Sequence, residues 1–287
     1  VLADTQLVNV NRWDFLKEQL LFFTGSLVVL LAGLYALLFY RPFKKFRFFF
    51  WALCITLAVF TYLKAKSYYA MGLYPIYIAI GAVYLEEALK TGWKKYFKPV
   101  VVLLPVLFFI PIYQVMFPNK SPEYILAHPE RYKKYGLLRW EDGKDHALPQ
   151  DYADMLGWKE LANKTDSVYA TLSDQEHTLI LCDNYGQAGA INYYTKNKKM
   201  AAVSFSADYI NWFQLDIKYS HLIRIKTRES AATELNETGP LFEKSYLAAT
   251  VTNPYARETG TSIFVFENAK TDINQRIKME IDEEKNY

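Results

Sequence analysis

A chain of 287 residues with a formal charge of +3, 52% hydrophobic residues and two cysteines leaves few function classes open to simple reading. The slight basicity is no signal of nucleic-acid binding, because residues 1–118 balance at +7 and residues 119–287 at −4, a basic apolar part averaged with a mildly acidic polar one. Cys54 and Cys182 stand singly in different regions, with no spacing for a metal motif or a disulfide framework.

The chain opens at Val1 in a polar stretch, Asp4–Arg12, without an initiator methionine or a signal-peptide pattern, and reads as a piece of something longer. Trp13 and Asp14–Gln19 then suit a short helix at a membrane interface, making residues 1–19 an outer-face segment. Leu20–Tyr40 follows as 21 residues without a charge, enough to cross a hydrocarbon core of about 30 Å. Three further apolar runs, 46–63, 68–85 and 99–117, complete a set of four expected transmembrane helices within residues 20–118. Buried helices of a soluble protein are the alternative, but each run is bounded by cations and aromatics, as at a bilayer surface. Pro75, Pro105 and Pro111 fall within these runs, which membrane helices tolerate when neighbours satisfy the freed backbone groups.

Orientation follows from the loops. Arg41, Lys44, Lys45 and Arg47 cluster in one connection and Lys90, Lys94, Lys95 and Lys98 in the next but one, so that side is expected to be cytoplasmic. The turn at Lys64–Ser67, the N-terminal segment and everything after Phe117 then face outward, which in a bacterium is the periplasm.

After the linker Pro118–Pro122, residues 124–148 are polar, aromatic-rich and aperiodic, and read as loops and short helices. From Asp151 onward helical and extended patterns alternate. Helices are expected at 151–171, 186–196 and 229–236, and strands at 178–182, 201–205, 221–225, 246–251 and 262–266. This alternation predicts that residues 119–287 form a soluble α/β domain with a largely parallel sheet and a charged, fraying tail after Ala269.

The pair Lys64 and Lys66 is the chemically sharpest feature. No acidic residue lies between Glu18 and Glu86, so the local sequence offers these cations no counter-ion. Capture of a phosphate, with Tyr68 and Tyr69 hydrogen-bonding it or packing on a lipid, is one reading. Snorkelling of lysine toward headgroups at a helix end is the other. Arg12 either lines the same outer cavity or anchors the interfacial helix beside Trp13. Asp183, Asn184 and Tyr185 follow an expected strand and open an expected helix, where open α/β sheets bind ligands. The spacing Gly186-Gln-Ala-Gly189 is not the dinucleotide fingerprint, and a plain strand-to-helix turn explains it equally. Trp212, beside Asp208, Tyr209 and Phe213, could stack on a sugar ring or pack the domain on a neighbour. The four histidines have no metal-ligand spacing, and the residues call for no cofactor, metal or nucleic acid. No complete catalytic constellation stands in the chain.

Two segments, Phe60–Pro75 and Asp183–Tyr194, resemble the C-terminal half of bacterial glycosyltransferase family 39 membrane proteins, which are related to protein O-mannosyltransferases and to lipid A aminoarabinose transferases. The resemblance implies a membrane all-α part belonging to a GT-C bundle, followed by the α/β domain. It also implies transfer of a sugar from a polyprenyl-phosphate donor to a lipid, glycan or protein acceptor at the outer face of the inner membrane. Lys64, Lys66, Tyr68, Tyr69 and Arg12 would then face the donor phosphate, and Asp183, Asn184, Tyr185 and Trp212 would be candidate acceptor or sugar contacts. The carboxylate base of such enzymes has no counterpart here and is expected upstream, in a missing N-terminal transmembrane half, so this piece by itself would be inactive. Two other classes compete: a non-catalytic, membrane-anchored periplasmic binding protein, and a transporter of lipid-linked sugars, which the uncharged spans disfavour.

Overall fold

The structure is a computed structural model that describes residues 11–197 and 199–286; the polar start expected at 4–12 lies outside these up to residue 10. The chain divides into two compact units, residues 1–147 and 148–287.

The first unit is helical. Asn11 caps α1 (Arg12–Leu21) by accepting from the Trp13 amide at 2.9 Å. A short turn at Thr24–Ser26 leads into α2 (Leu27–Phe39), and the two helical stretches meet at a bend of 59°. Then come α3 (Arg47–Tyr62), α4 (Tyr74–Ala88), α5 (Lys98–Met116) and two short helices, α6 (Pro122–Ala127) and α7 (Pro129–Lys133). Tight 3₁₀ turns at Arg41–Phe46, Ser67–Leu73 and Gly92–Phe97 precede α3, α4 and α5.

Two of these continuous helical stretches, Ser67–Ala88 and Gly92–Met116, are long and apolar enough to cross a membrane, and a bent third, Arg12–Phe39, counts if its halves form one span. Four spans were expected. The expected span over 46–63 is instead a 16-residue helix, about 24 Å long and short of the roughly 30 Å hydrocarbon core. Pro75 sits in the first turn of α4, where a proline leaves no orphaned amide, whereas Pro105 and Pro111 are interior to α5. The core of the unit joins Phe15 of α1 to Leu30, Leu37, Leu53, Tyr74 and Tyr77.

The second unit is an α/β layer fold. After a short turn of helix, α8 (Gln150–Ala153), Gly157 adopts φ +86 and starts α9 (Trp158–Thr171), which splits the single helix expected over 151–171. The sheet contains β1 (Thr178–Cys182), β2 (Ala202–Ser204), β3 (His221–Lys226), β4 (Phe242–Thr250) and β5 (Ser262–Ala269) in the order β2-β1-β3-β5-β4. Pairs β1–β2 and β1–β3 are parallel, while β3–β5 and β4–β5 are antiparallel. The sheet is therefore mixed, not largely parallel. A crossover helix, α10 (Tyr185–Tyr194), links β1 to β2, but β4 and β5 are joined by a loop, and a loop lets strands run antiparallel.

Alternate residues of β1 divide between two cores. Ile180 and Cys182 pack under α9 and α10 with Leu161 and Ile191, and Leu179 and Leu181 face the other side with Phe264 and Phe266. That second face is covered by α12 (Ile273–Lys285), whose Ile273, Ile277 and Ile281 are buried at four-residue spacing. The tail expected to fray is thus a packed helix. A short α11 (Glu234–Thr238) stands where 229–236 was expected to be helical.

Candidate functional site

The five residues expected around a donor phosphate are brought together at one end of the first unit. Helix α3 stops in a paired-hydrogen-bond cap: the Ala65 amide donates to the Phe60 carbonyl at 2.9 Å and the Lys64 amide to the Thr61 carbonyl at 3.4 Å. This geometry requires a left-handed residue at position 64, and Lys64 adopts φ +54. Arg12 reaches the same helix end, its Nε donating to the Thr61 carbonyl at 3.2 Å and its Nη2 to the Tyr62 carbonyl at 3.3 Å. Its guanidinium thus adds donors to the carbonyls of the last helical turn.

Lys66 differs from its neighbour. Its Nζ lies 2.6 Å from Glu141 Oε1, and its side chain is only 13% exposed. Burial works against the ammonium, but the hydrogen bond and the charge of Glu141 outweigh it and hold the Lys66 pKa above its ordinary value. The expectation of two lysines without a counter-ion is therefore corrected at Lys66. Among the described residues, the Lys64 ammonium makes no hydrogen bond or ion pair. Next along, Ser67 donates its hydroxyl to the Glu18 carboxylate, and buried Gln19 donates to the Ser67 carbonyl at 3.1 Å while accepting from the Tyr74 hydroxyl at 3.0 Å. Tyr68 and Tyr69 are half exposed with rings perpendicular, centroids 4.8 Å apart, and Lys66 Nζ is 5.9 Å from the Tyr68 ring.

Glu141 was not legible as a partner, since it lies 75 residues beyond Lys66. It is carried on a small hairpin in which Arg139 and Asp145 bridge, the Trp140 amide donates to the Lys144 carbonyl at 2.9 Å, and Trp140 stacks on His146. One signal for this turn is present in the sequence. Asp142-Gly143 is a strong hairpin dipeptide, and Gly143 takes φ +76. The Asp142 carboxyl sits below its ordinary pKa; burial opposes this, and the Lys144 amide and His146 overcome it.

In the second unit, the carboxyl ends of β1 and β3 form the crevice at which the chain connections turn opposite ways. Asp183 lies there but is fully engaged. Its carboxylate accepts from Arg224 Nη2 at 2.9 Å, the Thr227 amide at 2.9 Å and Ser230 Oγ at 2.6 Å, with Lys226 Nζ at 3.2 Å. Buried Glu234 closes the network with Lys226 at 3.4 Å. Burial opposes the Asp183 charge, but Arg224, Ser230, Thr227 and Lys226 together hold its pKa below the usual carboxylate range. Beside it, burial pushes the Cys182 thiol far up. Arg224 and Lys226 are two residues apart on a strand whose Leu222, Ile223 and Ile225 are apolar, and this spacing was the available sign of a buried partner.

Comparison with protein-family models, with curated proteins and with solved structures finds no match.

Asn184 caps α10 by accepting from the Gln187 amide at 2.9 Å, and Tyr185 is exposed. Trp212 keeps different company. It donates to Asp208 at 3.2 Å, stacks at a tilt on Tyr209, and borders a shallow pocket of about 360 Å³ with Asn192, Thr195 and Met200, at the opposite end of α10 from Asp183. The four candidate acceptor contacts thus fall into two groups at opposite ends of one helix. Among the described residues, no group of three His, Cys, Asp or Glu side chains could hold a metal ion.

Proposed function

We propose that this chain is the C-terminal part of an integral-membrane glycosyltransferase that takes a sugar from a polyprenyl-phosphate donor at the outer face of a bacterial inner membrane. The observation that carries the reading is the convergence of Arg12, Lys64 and Lys66 where the stretch Ser67–Ala88 begins, with the carboxylates of Glu18 and Glu141 beside them among the described residues. A surplus cation at the mouth of a membrane-length helix suits the phosphate of a lipid. In sugar transfer, negative charge grows on that leaving phosphate, and a fixed cation stabilises it most in the transition state. In the full protein α3 would complete a four-span unit, with both termini outside and the two lysine-rich connections inside. The base that activates the acceptor hydroxyl would come from the preceding part of the protein.

The test is transfer of a labelled sugar from polyprenyl phosphate by the full-length protein in vesicles. Lys64→Ala/Lys66→Ala is expected to lower turnover by about tenfold or more at equal expression, as for loss of a charge-assisted contact. Wild-type turnover in that variant would refute the proposal. A membrane-anchored binding protein without chemistry is the second reading, favoured by the fully engaged Asp183 network, and it predicts no transfer by the wild type.

A further inference from the structure

The turn is not a pair of equivalent lysines. The α3 cap demands a left-handed residue at position 64, the position where glycine is the usual choice because it lacks a β-carbon. Lysine there costs about 1 kcal/mol in backbone strain. Strain kept at a residue without an intramolecular partner is a pointer to a role outside the fold. Among the described residues the Lys64 ammonium meets that description, and Lys66 does not. Lys66 is mostly buried, tied to Glu141 at 2.6 Å, and so pins the 139–146 hairpin to the turn. Arg12 spends its Nε and Nη2 on the Thr61 and Tyr62 carbonyls, and the Thr61 carbonyl also receives the Lys64 amide. That shared acceptor fixes the Arg12 charge beside the Lys64 backbone.

We infer that Lys64 is the anion-binding residue of this turn, recognising a phosphate group at the membrane surface with Arg12 as a fixed auxiliary charge, while Lys66 and Glu141 form the latch that holds the turn in shape. The inference rests on the lipid-donor reading only for the identity of the anion. Snorkelling alone accounts for neither the left-handed backbone at Lys64 nor the buried pair beside it, since a snorkelling lysine requires only an ordinary helix end.

The chain, reconstituted in neutral phosphatidylcholine nanodiscs, is titrated with a water-soluble short-chain polyprenyl phosphate, with a short-chain phosphatidylglycerol and with inorganic phosphate. Saturable binding of at least one probe is expected. Lys64→Gly should weaken it by about tenfold, the loss of one charge-assisted contact. This substitution removes the charge and relieves the strain together, so it should melt no lower than the wild type and a misfolded protein cannot explain the loss. Lys64→Arg keeps the cation and should stay within about threefold, because a single charge rather than a bidentate fork is used. Lys66→Ala should expose the hairpin, read as faster tryptic cleavage after Arg139 and Lys144. Preference for polyprenyl phosphate supports both this inference and the glycosyltransferase reading. Equal or better binding of phosphatidylglycerol or inorganic phosphate, still lost in Lys64→Gly, supports the inference and removes that reading. The inference is overturned if no probe binds, if Lys64→Gly binds like the wild type, or if Lys66→Ala costs as much affinity as Lys64→Gly while the hairpin stays protected.

Discussion

Gly33 of α2 and Gly81 of α4 pack backbone against backbone. A β-carbon on Gly33 would stand 2.1 Å from the Tyr77 carbonyl oxygen, and one on Gly81 would stand 1.9 Å from that of Val29. No methyl group fits there, so any side chain must push the helices apart. Small residues permit this close approach, and in lipid van der Waals packing is the main attraction between helices. Gly81→Ala is expected to destabilise the first unit by about 1–3 kcal/mol, the usual range for overpacking. Gly33→Ala should cost a similar amount, and the double variant less than the sum, because one separation relieves both clashes. Thermal unfolding in detergent measures it, and a Gly81→Ala protein that melts with the wild type would remove this contact from the account.

Asp183 holds the β1–β3 crevice closed. Asp183→Asn keeps the shape but leaves Arg224 and Lys226 with Glu234 alone. Breaking such a buried network should cost about 3 kcal/mol or more. Cys182, adjacent and buried, reports on it. Its modification by a thiol reagent, mapped separately from that of exposed Cys54, should be slow in the wild type and faster in the variant. Equal rates would mean that the network does not secure this edge.

Glu160 ties α9 to the loop after β4, accepting from the Thr252 amide at 2.8 Å, the Asn253 amide at 3.1 Å and Lys164 Nζ at 2.7 Å. Burial opposes its charge, but these donors prevail and lower its pKa from 4.5 to about 2. A carboxyl lowered on folding stabilises fully above its ordinary pKa, and that contribution fades as pH falls toward the folded value. The wild type should therefore lose stability between about pH 4.5 and pH 2 in part through this group. Glu160→Gln should lose about 1–2 kcal/mol at pH 7 and show a flatter acid limb. Parallel melting curves at pH 7, 4 and 3 read it (about one unit resolves the window). Identical acid limbs would contradict the assignment.

Ile277 tests whether the C-terminal helix belongs to the fold. Ile277→Ala should cost about 2–5 kcal/mol, the range for truncating a buried aliphatic side chain. The same variant should speed tryptic cleavage after Arg276 and Lys278. A helix that frays freely would show neither effect.

Ile273, Ile277 and Ile281 also mark how far local reading reached. Their four-residue spacing was visible in the chain, yet the surrounding charges dominated the composition, and the segment read as a fraying tail. Strands β1, β3 and β5 were legible because runs of buried aliphatic residues need no partner to be recognised. Their relative directions were not, because strand direction depends on whether a connection crosses the sheet or turns back along it. The same limit applied at the basic turn. The position and charge of Lys64 and Lys66 could be read from the chain, whereas Glu141 could not be connected to Lys66 across 75 residues.

The sequence by itself determined that a basic, aromatic-flanked apolar region precedes an α/β domain, and that two lysines and two tyrosines open one membrane-length stretch. These follow from hydropathy, charge and period, which are properties of neighbouring residues. Only the tertiary structure decided that the sheet is mixed, that Asp183 is consumed by Arg224 and Lys226, and that Lys66 pairs with Glu141 while the Lys64 ammonium has no partner among the described residues. Each of those depends on groups far apart in the chain meeting at hydrogen-bonding distance, and a counter-ion is chosen by proximity in space rather than along the sequence.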